Sequence, residues 1–526
     1  MSLVGKKRSR EAVPCTTDPQ AIRPVRQIGE QALSRASGAP LVLGNQVRIL
    51  EDADGNYPVW LEAIASARRV IYLENYIFEE DDVGRAFADA LAERARAGVR
   101  VRLVRDWLGT RSGASRGFWR RLEAAGVDLR CFNPLNLSSP FGWVTRDHRK
   151  MIAVDGRVAF VTGLCISQRW KGNPARRVPP WRDTGLEIRG PAVADIEHAF
   201  AELWETMGEP IPHDELSMSS ALEPVGEVAL RVIAGTPSTA GLFRMDQLVA
   251  AIARRSLWLT DAYFVGVTPY VQALRAAARD GVDVRLLVPN TTDLPLVRSL
   301  SRAGYRSLLD AGVRIFEWNG SMLHAKTAVV DSRWSRVGSS NLNIASFIGN
   351  YELDVAVEDQ GIAQEMEDMY LRDLDNATEI RLAKNRVVRL SLPARGGALA
   401  ASSSGPGGAS GSAGEAELVA VPTQHRFARR PRNRRGSRGA AASAMRLANT
   451  VGAAVTNHRT LGRAEGRILS LSGVALVVLA VLAVLWPRVI ASPLAVLALW
   501  VGLALMWRSF RLFTRHDDSG PTPPVP

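Results

Sequence analysis

One eight-residue pattern occurs twice in this chain and limits its fold more than any other feature. His148-Arg149-Lys150 with Asp155, and His324-Ala325-Lys326 with Asp331, both read H-x-K-x4-D. Each runs into an apolar stretch, Met151–Val154 and Thr327–Val330, of strand-like character. Residues two apart in a strand share a face, so each copy is expected to set a histidine beside a lysine. That pairing suits a phosphate anion. The chain holds only seven histidines, so two in matching surroundings point to one duplicated device.

The duplication reaches beyond the motifs. Val70–Phe78 upstream of the first copy and Leu257–Val265 upstream of the second both read as buried strands, with Glu74 and Asp261 each two residues before a tyrosine. A helical stretch then leads to Gly98–Val104 in one half and Gly281–Val288 in the other. The next apolar helices end at Ala125-Gly126-Val127 and Ala311-Gly312-Val313. Strands alternating with helices of this length indicate an α/β sandwich of two duplicated halves packed about a pseudo-twofold axis.

These motifs and their flanks resemble the phospholipase D superfamily, and within it the bacterial cardiolipin synthases. The resemblance covers roughly residues 40 to 385. It is most specific at Gly320–Lys326, Val337–Leu342, Ser346-Phe347 and Asn350–Leu353, with His148–Gly156, Val158–Val161, Trp181–Thr184 and Gly190–Val193 as first-half counterparts.

Phosphodiester exchange needs a nucleophile for phosphorus, an acid for the departing alkoxide and positive charge on the equatorial oxygens. A neutral imidazole supplies the first and an imidazolium the second, since an unperturbed pKa of ~6.5 makes both forms accessible at neutral pH. Lys150 and Lys326 would supply the charge. The resemblance implies a phosphatidyl-histidine intermediate, with His148 as nucleophile and His324 as acid and base; the residues leave the reverse assignment open. By family position, Asp183 and Glu352 are the carboxylates that orient the imidazoles. Ser339, Ser340 and Asn341 are expected to donate hydrogen bonds to the phosphate. Glu74 is expected either to line the cleft or to satisfy backbone donors. Asp155 and Asp331 stand with the candidate catalytic sets as motif members, although turn capping is the reading their residue type favours. The seventeenth residue after His324 is Asn341, whereas the same count from His148 reaches Cys165. A thiol is a poor donor, so the first half-site should hold phosphate less well, with Ser167 as a nearby substitute. No metal-ligand spacing, Walker loop or glycine fingerprint after a strand is present, and neither metal nor cofactor is expected.

Composition changes after the second half. A Gly-, Ala- and Ser-rich linker from about residue 395 leads into an Arg-rich run; residues 386–467 carry fourteen Arg against three Glu, which places most of the chain's net charge of +13 there. Ile468–Trp486 and Val489–Trp507 are apolar runs of nineteen residues each, long enough as helix to cross a ~30 Å hydrocarbon core. Arginines flank both ends, which orients a two-helix hairpin with the flanks and the catalytic body in the cytoplasm, at the inner membrane of a bacterial cell. Cys15, Cys131 and Cys165 form no paired spacing, in keeping with a reducing compartment. The expected organisation is a flexible basic segment over 1–40, the halves over 41–220 and 221–392, the linker with its Arg-rich segment over 393–466, two transmembrane helices over 467–508 and a tail over 509–526.

The reading that joins these features is a membrane-anchored phosphatidyltransferase making cardiolipin from two phosphatidylglycerol molecules, with glycerol released. Phospholipids and the membrane are its expected partners, nucleic acid is not, and the oligomeric state is left open. A phospholipase D hydrolase, a phosphatidyltransferase using phosphatidylethanolamine or serine, a nuclease-type phosphodiesterase and an inactive membrane tether are the alternatives.

Overall fold

A computed structural model describes residues 29–135, 145–237, 239–383 and 386–390, with a few helical positions between 492 and 506. Apart from those positions, the expected hairpin, the Arg-rich segment, residues 1–28 and residues 136–144 lie outside the described residues. No helix among the described residues is long and apolar enough to cross a membrane.

The strands fall into two sets. The first is β1 (Val42–Glu51), β2 (Val70–Asn75), β3 (Arg100–Asp106), β4 (Asp128–Phe132), β5 (Lys150–Val154), β6 (Val158–Thr162) and β7 (Thr184–Arg189). The second is β8 (Val228–Gly235), β9 (Ser256–Thr260), β10 (Asp283–Pro289), β11 (Arg314–Trp318), β12 (Thr327–Val330), β13 (Trp334–Gly338) and β14 (Glu352–Glu358), followed by β15 (Ala377–Ala383) and β16 (Arg386–Leu390). Their lateral orders match: β4-β3-β2-β5-β6-β7-β1 and β11-β10-β9-β12-β13-β14-β8. The edge strands β1 and β8 pair antiparallel and join the halves into one mixed sheet.

Local chemistry accounts for this layout. Parallel neighbours need a crossover, which helices Asp82–Arg96 and Arg116–Ala124 provide between β2, β3 and β4, and helices Thr268–Arg279 and Pro295–Leu309 provide between β9, β10 and β11. β5 and β6 instead form a tight antiparallel hairpin, as do β12 and β13. β2, β5, β6, β12 and β13 are buried at every position, which is why their sequences run apolar without alternation. Crossover helices cover one face of each half. The opposite faces meet each other: Val161 and Leu186 share a core with Val337 and Leu353, closed by helices Ala192–Glu205 and Gln360–Asp375.

Two local expectations need correction. The strands read over Val70–Phe78 and Leu257–Val265 stop at Asn75 and Thr260, and the residues beyond them turn over the ends of the neighbouring strands. The basic N-terminal segment is not wholly loose, because residues 29–37 form a helix. Arg231 of β8 is fully buried and needs acceptors; its Nη1 donates to Ser34 Oγ (2.7 Å) and Ala39 O (3.2 Å), which pins the segment down.

Candidate active site

The two motif histidines sit at the seam between the halves, just ahead of β5 and β12. Each is held there by a short parallel bridge to the other half. His148 N donates to Tyr351 O (2.9 Å) while Tyr351 N donates to Arg146 O (2.9 Å). In the symmetry-related bridge, His324 N donates to Arg182 O (2.7 Å) and Arg182 N to Met322 O (2.9 Å).

The bridges exchange the carboxylates. Glu352, at the start of β14 in the second half, takes His148 of the first: Nδ1 lies 2.9 Å from Oε2. Asp183, just before β7 in the first half, takes His324 of the second, with Nδ1 2.7 Å from Oδ2. Both carboxylates are themselves held. Ser339 Oγ donates to Glu352 Oε2 (2.6 Å), and Trp170 Nε1 donates to Asp183 Oδ2 (2.9 Å). Gly163 leaves room for Asp183, since a Cβ there would collide with its Oδ1. A carboxylate accepting from Nδ1–H leaves Nε2 as the reactive nitrogen of each ring.

Lys150 and Lys326 are buried. Lys150 Nζ donates to the carbonyl of His148, and Lys326 Nζ lies 2.8 Å from Nδ1 and 3.1 Å from Nε2 of His324. The lysines act across the seam as well: each carries enough charge at the opposite histidine to depress its basicity. Aromatic rings close the sides. Tyr76 packs on His148 at 4.9 Å between centroids, and Trp170, Trp181 and Tyr263 surround His324 at 5.1, 5.8 and 5.9 Å. Trp170 was not singled out by the sequence, whereas Trp181 opens the Trp181–Thr184 stretch that carries part of the resemblance.

Protonation differs from the sequence expectation. Burial, with Lys150 adding to it and Glu352 opposing, pushes the His148 imidazole down to about 4. Burial and Lys326, opposed by Asp183, do the same to His324, also to about 4. Both rings are therefore neutral at neutral pH in the unliganded site, and the imidazolium is not freely accessible there. Burial would raise the two carboxyls, but their histidine partners and the nearby lysines hold Asp183 and Glu352 below the ordinary range. Burial draws the Lys326 ammonium down to about 8, against the pull of Asp183.

Several candidates lie elsewhere than expected. Asp155 and Asp331 sit at the far ends of β5 and β12, about 15 Å of strand away from the histidines. Asp155 accepts from the backbone N–H of Arg68, Arg69 and Val70 at 2.8 to 2.9 Å, and Asp331 from Arg254, Arg255 and Ser256 at 2.7 to 2.9 Å. Both have positive φ, 56° and 53°. They cap the starts of β2 and β9, and counting them as catalytic is corrected on that geometry. Asp155→Ala and Asp331→Ala should each lower stability by roughly 1–3 kcal/mol, since three donors lose their acceptor, while turnover per folded molecule stays unchanged. Urea unfolding beside active-site titration checks both halves of that expectation.

Ser339 is committed to Glu352, and Ser340 Oγ donates to Asp354, so neither hydroxyl is offered to a phosphate. Asn341 differs: its amide keeps a donor, Nδ2, for a phosphate oxygen, while its buried Oδ1, which can only accept, has no hydrogen-bond partner among the described residues. Glu74 is fully buried near Arg149 and Asp147 and so does not line a solvent-open cleft; burial raises its carboxyl. Asp261 is likewise internal, accepting from Leu342 N (2.7 Å) and Tyr263 N (2.9 Å). Cys165 is buried in an apolar cluster beside Trp170, with Lys150 and Lys326 near enough to act on its thiol. Ser167 does not replace it, because its hydroxyl donates to Glu79 (2.6 Å). Asn341→Ala should weaken phosphodiester binding, raising KM by roughly tenfold with a smaller change in kcat, in line with the ~1–3 kcal/mol of a lost bond to a charged group. Initial-rate kinetics on a soluble phosphodiester would measure it.

Known proteins agree with this architecture. The family described as "Cardiolipin synthase, PLD-like domain" matches residues 60–171 and 248–374, one segment in each half. The cardiolipin synthase of Alkalihalophilus pseudofirmus is 32% identical over 403 residues, covering 72% of this chain and 79% of that protein. Cardiolipin synthase A of Pseudomonas aeruginosa is 34% identical over 366 residues, covering 69% and 73%. In fold, the crystal structure of a phosphatidylserine synthase from Haemophilus influenzae superposes with a TM-score of 0.54 at 13% identity, over 68% of this chain and 91% of that one. Extended similarity to the synthases, over most of their length and through both motif-bearing halves, makes this chain a member of the cardiolipin synthase type of the phospholipase D superfamily.

Proposed function

We propose that this chain is a phosphatidyltransferase that makes cardiolipin from two phosphatidylglycerol molecules through a covalent phosphohistidine. The observation that carries the mechanism is the exchanged pairing of His148 with Glu352 and His324 with Asp183. Each pairing engages Nδ1 and leaves Nε2 as the reactive nitrogen of its ring, one from each half, and both lysines act on both imidazoles. In the first step Nε2 of His148 attacks phosphorus, the bond to the glycerol headgroup oxygen breaks, and His324 hands that oxygen a proton. In the second step His324 takes the proton of a second phosphatidylglycerol's hydroxyl, whose oxygen displaces His148 from phosphorus. Glycerol is the released product. A phosphodiester carries the negative charge needed to lift a neighbouring imidazole's pKa, so substrate entry itself would help His324 acquire the proton it then donates. Lys150 and Lys326 neutralise charge on the equatorial oxygens. Water competes as acceptor, and its exclusion decides between transfer and hydrolysis.

The proposal extends to the parts of the chain outside the described residues. The apolar runs 468–486 and 489–507 would form a two-helix hairpin anchoring the protein to the inner membrane, with the catalytic body in the cytoplasm. The Arg-rich stretch before them would gather anionic lipid at ~1 kcal/mol per charge near the surface. The halves over 41–220 and 221–392 would form the catalytic body.

Purified protein in detergent micelles with phosphatidylglycerol as the only lipid tests the reaction. Cardiolipin and glycerol should appear in equal amounts, and His324→Ala should abolish both. Phosphatidic acid as the main product would replace the transferase reading with a hydrolase one.

A further inference from the structure

The two halves follow the same residue count through their hairpins and then part company. From Cys165 to Asp183 is eighteen positions, but from the matching Asn341 to Glu352 is eleven. The longer connection of the first half forms a finger over 172–180. It is closed on itself by paired backbone bonds, Asn173 N to Val178 O (2.7 Å) and Val178 N to Asn173 O (2.9 Å). Asn173 Oδ1 also accepts from Arg176 N (3.0 Å). At its base, Trp170 and Trp181 touch at 4.7 Å between centroids and both pack on His324. Ser321 of the second half donates to Pro180 O and ties the finger across the seam.

The tip is open to solvent, while the base of the finger rests on His324. Residues 174–180 are all exposed, as is Lys171. Among the described residues, the side chains of Lys171, Arg176 and Arg177 form no ion pair or hydrogen bond, whereas neighbouring Arg169 is neutralised by Glu79 (2.5 Å). Directly after Arg177, Val178 stands 46% exposed. In the shorter connection of the second half, Ile348 is 46% exposed as well. Each half thus offers an aliphatic tip, and one half adds cations with no neutralising partner among the described residues.

We propose that this finger, together with Ile348 of the second half, is a docking surface that seats the active site on an anionic phospholipid bilayer. The inference rests on the phospholipid reading above and adds the face by which the body meets its substrate. Cations beside exposed aliphatic side chains suit a negatively charged headgroup layer with hydrocarbon beneath it. A surface for single-stranded nucleic acid would want exposed aromatic rings for stacking, and a duplex, held through its phosphates, would gain nothing from the exposed aliphatic side chains.

The test uses the full chain, so that other membrane contacts stay constant and only the finger is read. Val178→Cys, in a Cys15→Ser/Cys131→Ser background, carries an environment-sensitive dye. Its emission should shift to the blue with phosphatidylglycerol vesicles and stay unchanged with phosphatidylcholine vesicles or duplex DNA, and Arg176→Glu/Arg177→Glu should remove the shift. The same double substitution should raise KM for vesicle phosphatidylglycerol by roughly tenfold and leave turnover in micelles unchanged. No shift with anionic vesicles, an equal response to DNA, or equal losses in vesicles and micelles would each overturn the proposal. Dye docking by the labelled protein, with no cardiolipin made in micelles by the wild type, would overturn the functional reading alone.

Discussion

His148→Ala and His324→Ala are each expected to reduce phosphatidyl transfer by about three to six orders of magnitude, and the double substitution to be little worse, because groups acting as one unit are not additive. The expectation follows from geometry. One Nε2 must bond to phosphorus while the other handles the proton of the leaving oxygen, and either task left undone stops the cycle. A substrate with a good leaving group separates the roles. With a nitrophenyl phosphodiester, His324→Ala should still accumulate covalent phosphohistidine, since no proton is needed for departure, while His148→Ala should accumulate none. Labelling in the reverse pattern would exchange the assignments. A single variant with near-normal turnover would sink the two-histidine mechanism.

The second large effect crosses the seam. Asp183→Asn and Glu352→Gln should each lower kcat by about two to four orders of magnitude, because an amide can present a donor to Nδ1 and stabilise the wrong tautomer. The damage should appear in the opposite half. Glu352→Gln, in the second half, should block labelling of His148 in the first. Asp183→Asn should permit labelling and slow proton-dependent release. The pH dependence has a definite sign. Asp183 raises the His324 pKa, which burial and Lys326 have pushed to about 4. Removing that carboxylate lowers it further, so less of the ring is protonated at any given pH and the limb requiring the acid moves to lower pH. A kcat profile on a soluble substrate would show it; a shift toward alkaline pH would contradict the pairing.

Much of the site was legible in the residues because the chain states it twice. Two H-x-K-x4-D motifs in matched apolar strands specify a duplicated α/β unit, and equal spacing aligns Asn341 with Cys165 without coordinates. β6 starts ten residues after His148 and β13 ten after His324, which keeps that alignment in register. Asp155 and Asp331 were legible as turn residues from their type, but their distance from the chemistry follows from strand length. Ser339 and Ser340 could not be read correctly, because two adjacent hydroxyls in an irregular segment turn toward whichever acceptors the fold supplies, here Glu352 and Asp354.

What the sequence determined by itself is the periodic and repeated content: which strands are buried on both faces, where the histidines and lysines recur, and that the halves match. What only the tertiary structure decided is partnership. Nothing in the spacing of Asp183 distinguishes His148, thirty-five residues before it, from His324 far beyond, and the more distant one is its partner. Strand pairing within each half carries its carboxylate to the shared seam, and the two parallel bridges there bind the backbone of each histidine to the other half. The same closure removes water from both imidazoles and drives their pKa values down. That shift depends on burial between two domains, and no local stretch of sequence contains it.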